Sequence, residues 1–438
     1  MTKRIFLITT TILLVFTACK KEKGCTDFAA TNYNADAEED DGSCTYAING
    51  CMNPSANNFD PLATIDDGSC IFPQVTYGCT DSTAINYNPT AIVDDSSCCY
   101  VAGCTDTLAL NYTPNACYDD GSCTYFTPTP YQIISPSGFP NMDIPSNNPM
   151  TVEGVNLGNK LFHDKILSGN GMQACASCHL QSAAFSDTNQ FSTGIDGLFG
   201  DRNASTIINA GWNNSNFWDG RASSLEEQAF DPVTNPLEMH DNWLNVENKL
   251  NADDEYPALF KNAFNIDYID SNHVVMAIAQ FERTLISANS KFDKYLRGEA
   301  QLSPSELGGH AIFNTEKGDC FHCHGTQMFM DNLFHNNGLD PEPFIDLGLG
   351  KITNDASDNG KFKTPTLRNI EFSAPYMHDG RFGTLEQVVE HYNSGGEYSS
   401  TVDPLMKKLG VGLQLTNQEK QDLVAFLKTL TDTDFITQ

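Results

Sequence analysis

Two five-residue stretches carry the most specific chemistry in the chain: CASCH, Cys175–His179, and CFHCH, Cys320–His324. Both read C-x-x-C-H, the signature for covalent attachment of c-type haem. The chemistry dictates the spacing. Two thiols add to the two vinyl groups of the porphyrin, and the next residue, a histidine, turns beneath the ring to ligate iron. A redox CxxC or a zinc pair would not require the trailing histidine twice. The expectation is two covalently bound haem c groups, held by Cys175, Cys178 and His179 and by Cys320, Cys323 and His324.

Helices must position these motifs. Leu385, Val388, Val389 and Tyr392 in TLEQVVEHYNSGG fall at i, i+3, i+4 and i+7, one apolar stripe that ends at Gly395–Gly396. SNHVVMAIAQFERTLIS, 271–287, and TNQEKQDLVAFLKTL, 416–430, carry similar stripes, the second with a Thr cap and Glu three residues on. No sustained strand alternation occurs in this part of the chain. The expected fold class is mainly α: two cytochrome c-like helical haem lobes, 151–298 and 299–438, preceded by a small disulfide-stapled repeat array. The Pro-, Ser- and Asn-rich stretch 126–150 reads as a linker.

The N-terminal third has a different composition. Four segments within 24–125 align, and each holds two cysteines 19 positions apart: Cys25/Cys44, Cys51/Cys70, Cys79/Cys98 and Cys104/Cys123. Units this small bury little core, so a disulfide within each repeat is expected, with Cys99 and Cys117 left to pair across the last two. The recurring DDGS reads either as a calcium loop or as an Asp-Gly turn on an acidic surface; the turn is favoured, because the spacing matches no EF-hand. No Lys or Arg lies between Lys23 and Lys160, and the net charge of −31 argues against a nucleic-acid partner. A basic start, MTKR, precedes an apolar run from Ile5 to Phe16 that is too short to span a bilayer, and then TAC. Residues 1–19 resemble a bacterial lipoprotein signal, with Cys19 as the lipidated residue; a plain secretory signal is the alternative. Either reading exports the chain to the periplasm or cell envelope.

From about Val152 to Asp432 the chain resembles the bacterial di-haem cytochrome c peroxidases and MauG. The resemblance rests on LGNKLFHDKILS, RNAST, FWDGRASSLEEQA, NPLEM, TPTLRNIEFSAPYMHDGRF and TLEQVV, in that order around the two haem motifs. It implies a peroxidatic first haem and an electron-transfer second haem, with Trp218 as conduit. It also implies that Glu238 of NPLEM is the distal acid/base, supported by Gln228. A carboxylate suits the work, since peroxide cleavage moves a proton from one oxygen to the other. The resemblance further implies one calcium, held by Asn203 and by the carbonyls of Ser373 and Pro375, and a homodimer.

Two departures from the family pattern matter. Many members place a histidine over the first haem, and the corresponding position here is Ile195, so an open first haem is expected. Fourteen positions after His378, where many members have a second-haem Met, stands Tyr392; MauG has a ligating Tyr there. A phenolate oxygen stabilises Fe(III) relative to thioether sulfur. Met377, Met406 and His391 compete for the same role. The resemblance implies reduction of hydrogen peroxide to water with electrons from a small cytochrome c or copper protein. Alternatives are a MauG-like oxidase that oxidises a protein or organic substrate through a high-valent state, and a non-catalytic electron-transfer lipoprotein.

Overall fold

Helix pairs crossing at glycine organise the larger of two compact units, 126–438; the smaller is 1–125. The computed structural model describes residues 21–406 and 409–437, so the lipidation expected at Cys19 lies outside the described residues. The helices run in chain order α1 Val152–His163, α2 Leu225–Thr234, α3 Trp243–Asn251, α4 Tyr256–Phe264, α5 Ser271–Glu282, α6 Lys291–Leu296, α7 Pro304–Phe313, α8 Phe321–His324, α9 Gly350–Thr353, α10 Leu385–Ser394, α11 Asn417–Lys428 and α12 Thr433–Ile436. Among the described residues, no helix is long and apolar enough to cross a membrane.

α1 packs on α5, and α7 on α11. In the first pair a Cβ on Gly158 would stand 1.9 Å from the Ala277 carbonyl oxygen; in the second, a Cβ on Gly309 would stand 1.9 Å from that of Asp422. Only glycine permits either approach. Each pair anchors its own apolar core: Leu157, Leu161, Val246, Phe260 and Ile278 in one, Phe313, Val389, Leu423, Phe426 and Leu430 in the other. One C-x-x-C-H follows α1 and the other follows α7, so the two motifs share one local scaffold. The chain end then crosses back. Phe435, just inside α12, packs against Phe185 at 5.6 Å between ring centroids, and its carbonyl accepts from Gln181 Nε2.

The stretch read as a linker, 126–150, is pinned along the helical unit. Phe139 meets Trp212 edge-on at 5.4 Å, and the Arg368 guanidinium lies 4.7 Å over its ring. Asn148, fully buried, donates to Glu226 and to the Met276 carbonyl and accepts from Gln280. Its Pro-rich backbone forms no helix, but these side chains have partners, which a free linker lacks.

The smaller unit repeats one device. Two-residue strands pair in parallel, as Lys23–Gly24 does with Glu39–Asp40. Five disulfides staple it: the four pairs 19 apart, and Cys99–Cys117 across the last two repeats. Among its described residues, the buried apolar side chains are cysteines and alanines. In the first repeat Asp40 accepts from Gly42 N and Asp41 from Ser43 N, and the pattern recurs at Asp66 and Asp67. The DDGS carboxylates are therefore engaged as turn caps.

Candidate active site

Both C-x-x-C-H motifs are single helical turns. In each, the histidine N–H bonds the carbonyl of the first cysteine at 3.0 Å, which brings both thiols and the imidazole to one side. Each imidazole is then fixed by its Nδ1–H, which donates to Phe185 O at 3.0 Å in His179 and to Phe329 O at 2.6 Å in His324. A carbonyl only accepts, so Nε2 carries the lone pair in both rings and is the atom available to a metal. The four motif cysteines are free, whereas every other described cysteine is in a disulfide. Burial pushes the Cys175 and Cys320 thiols up to about 12, the opposite of what a redox CxxC requires. The donor set fits two covalent haems.

Two cavities take up most of the expected residues. His179, Gln228 and Trp218 line the first, with Leu225, Glu282 and Lys363. Cys320, Cys323, His324, Met377, Tyr392 and Met406 line the second. Trp218 is in the wall of both. Its Nε1–H donates to the Asn203 carbonyl, and Asn203 N–H donates to that of His378, so backbone bonds fix the indole against the HDG turn. The His378 ring in turn stacks on Phe362 at 3.6 Å.

Glu238 is not in the wall of the first cavity; it stands near enough to Cys175 and Cys178 for its charge to raise both thiols. Asn235 Nδ2 donates to its Oε1 at 2.8 Å. Burial raises its carboxyl above the ordinary range, with a smaller push from Asp231, against the Asn235 bond and Arg221. Ile195 N–H donates to the Glu238 carbonyl at 2.9 Å, so the loop that carries Ile195 is directly attached to this glutamate. His240 turns away: its ring bonds Asp196 and its side chain is half exposed.

On α10, Thr384 and Gln387 form a capping box and Gly395 closes the helix at φ 93°. That frame points Leu385, Val388, Val389 and Tyr392 into the second cavity. Asn337 Nδ2 donates to Tyr392 Oη at 3.2 Å and to Met377 Sδ at 3.6 Å, holding two of the competing ligand groups together. Burial pushes the Tyr392 phenol up to about 12. His391 is not in the cavity wall, and its Nε2 faces the Asn337 carbonyl. Asn203, Ser373 and Pro375 also share the wall of the second cavity, and Asn203 Nδ2 is engaged by the carbonyls of Asn189 and Gln190.

Sequence reading missed several groups. His335 stands beside Cys323, bonded to Asp331 and Asp403, and these partners with Cys323 push it up to about 11. Glu282 and Lys363 line the first cavity but belong to no motif; nothing in the local sequence marks either.

Residues 152–301 match the family model described as di-haem cytochrome c peroxidase. The chain is 37% identical to methylamine utilization protein MauG of Methylophilus methylotrophus over 290 residues, which is 65% of this chain and 84% of that protein. This chain belongs to the di-haem cytochrome c peroxidase and MauG family. It is thus an oxidoreductase of the peroxidase type. Among other members of the family, cytochrome-c peroxidase IdrP1 of Pseudomonas sp. (strain SCT) is 36% identical over 323 residues, 66% of this chain and 84% of its own. A solved MauG-like protein associated with microbial copper homeostasis superposes with a TM-score of 0.67 at 38% identity, covering 70% of this chain and 97% of that one.

Proposed function

We propose that the chain is a di-haem c-type peroxidase, which reduces hydrogen peroxide to two waters with two electrons from an exported cytochrome c or copper protein and two protons. The observation that carries this reading is the single indole, Trp218, shared by two cavities that each hold a C-x-x-C-H histidine with a free Nε2. Haem c, held by Cys175, Cys178 and His179 and by Cys320, Cys323 and His324 in two helical lobes, supplies the redox-active iron.

The chain's own residues do the rest. Glu238, whose carboxyl burial raises, takes a peroxide proton and returns one to the leaving oxygen. Gln228 supports it from the first cavity, and Ile195, whose side chain has no ligating atom, would leave a haem held by His179 open to peroxide. Asn203, with the Ser373 and Pro375 carbonyls, holds a calcium, an ion that takes oxygen donors. The chain is exported as a lipoprotein through Cys19, and it acts as a homodimer.

Tyr392 favours a second reading, a MauG-like oxidase acting on a protein or organic substrate. Its hydroxyl is in the wall of the second cavity, fixed by Asn337, where a phenolate ligand would favour Fe(III). Mixing oxidised protein with stoichiometric peroxide and no donor separates the two. A long-lived spectral change at both haems supports the oxidase; fast turnover only with reduced cytochrome c supports the peroxidase. For Glu238→Gln, peroxide consumption falls on the order of 100-fold with haem content unchanged, the scale of a lost general acid–base. The rate of the native protein falls on the acid side as Glu238 gains its proton, at a pH above the ordinary carboxylate range, and the variant lacks that limb. An unchanged rate removes Glu238 from the mechanism.

A further inference from the structure

The polar residues of the first cavity are unusual in what they lack. Asn216 is 6% exposed, and although its Oδ1 accepts from Asn213, its Nδ2 has no hydrogen-bond partner. Lys363 lines the same cavity and forms no ion pair among the described residues, in a chain whose net charge is −31. The two are neighbours by construction: Lys363 N–H donates to the Trp218 carbonyl, two residues after Asn216. Burial pulls the Lys363 ammonium down to about 8, against the pull of the Asp331 carboxylate, with which it forms no ion pair. An ammonium and an amide N–H are both donors, so whatever completes them must bring acceptors and negative charge.

The third polar group does not compete for them. Glu282 is 5% exposed with Oε2 unpartnered, and burial pushes it up to about 8, against the pull of Arg283. At neutral pH it is mostly protonated and adds little negative charge to the cavity.

We propose that Lys363 and Asn216 form a two-point carboxylate site that binds a propionate of the haem attached at Cys175 and Cys178. The inference rests on the haem reading made above. A haem c carries its thioether links on one side and two carboxylates on the other, so a porphyrin tethered at the motif directs its acids away from the cysteines. The Trp218 wall, from which Lys363 and Asn216 reach the cavity, receives one of them. Lys363 also lines the second cavity, whereas Asn216 lines only the first. The pair therefore assigns the site to the first haem.

The test is redox titration of the holoprotein, each haem followed by its own spectrum, after mass spectrometry has counted the haems. In Lys363→Met a propionate charge loses its counter-ion, ferric iron is favoured, and the first haem's potential falls. A tenfold shift in its Fe(III)/Fe(II) ratio is about 59 mV for one electron. Lys363→Arg restores the native value, and Asn216→Asp, which sets a second carboxylate beside the first, lowers the potential on its own. Two haems with an unmoved first potential in both Lys363→Met and Asn216→Asp overturn the proposal alone. A shift confined to the second haem overturns it too. No haem at Cys175 and Cys178 in the native protein overturns the haem reading and this site with it.

Discussion

Gly308 and Gly309 are adjacent on α7, yet alanine at the two positions should act in opposite directions. A Cβ on Gly309 would meet the Asp422 carbonyl oxygen at 1.9 Å and Phe426 Cβ at 2.7 Å, where ordinary contact begins near 3.4 Å. Both are parts of α11 that cannot swing aside, so α7 and α11 must part by about 1.5 Å; overpacking of this kind costs about 1–3 kcal/mol. The helix gains about 1 kcal/mol from replacing glycine by alanine, which leaves a net loss of up to about 2 kcal/mol. At Gly308 the nearest atom is Asp422 Oδ2 at 3.1 Å, the end of a side chain that need give only by a few tenths of an ångström. There the helix gain dominates, and Gly308→Ala should be neutral or stabilising by up to about 1 kcal/mol. Urea unfolding followed by circular dichroism reads both as midpoint shifts at constant slope. Leu423 and Leu427 of α11 line the second cavity, so Gly309→Ala should also perturb the absorbance of the haem at Cys320. Equal midpoints for the two variants, or Gly309→Ala the more stable, would refute the close-crossing argument.

Two further outcomes follow from the same structure. Tyr392→Met should raise the potential of the second haem, because thioether sulfur favours Fe(II) more than phenolate does; unchanged ligation by EPR would return Tyr392 to a packing role. Replacing Cys51 and Cys70 together by serine removes the staple of one repeat, worth about 3 kcal/mol for a loop of this length. Limited proteolysis should then cut within 51–70, with the haem spectra unchanged; continued resistance would show that the repeat folds without its disulfide.

How much was legible in the sequence depended on whether a feature has a local period. The Leu385–Tyr392 stripe fixes which side of α10 is apolar, so the cavity-facing place of Tyr392 follows from spacing alone. The 19-residue interval does the same for the disulfides, since self-contained loops repeat without rewiring. Composition misled at 126–150. A Pro-rich segment looks the same whether it floats or is pinned, and the pins, Phe139 and Asn148, are single residues whose partners lie far along the chain. Glu282 and Lys363 were invisible for a related reason. In QFERT the carboxylate reads as the polar edge of a helix, but α2 packs on α5, and its Leu225 and Gln228 share a cavity wall with Glu282. His335 is held beside Cys323 by Asp331, by Asp403, which is 68 residues away, and by strand pairing with Phe362.

The most direct test of the peroxidase reading is donor stoichiometry under steady turnover. Purified holoprotein, hydrogen peroxide and excess reduced cytochrome c are mixed, and the donor is followed at its reduced absorption band while residual peroxide is titrated. The expected result is two donor molecules oxidised per peroxide consumed, with the rate lost in Trp218→Ala while both haems remain attached. Peroxide left intact, or consumed with no donor oxidised, would contradict it.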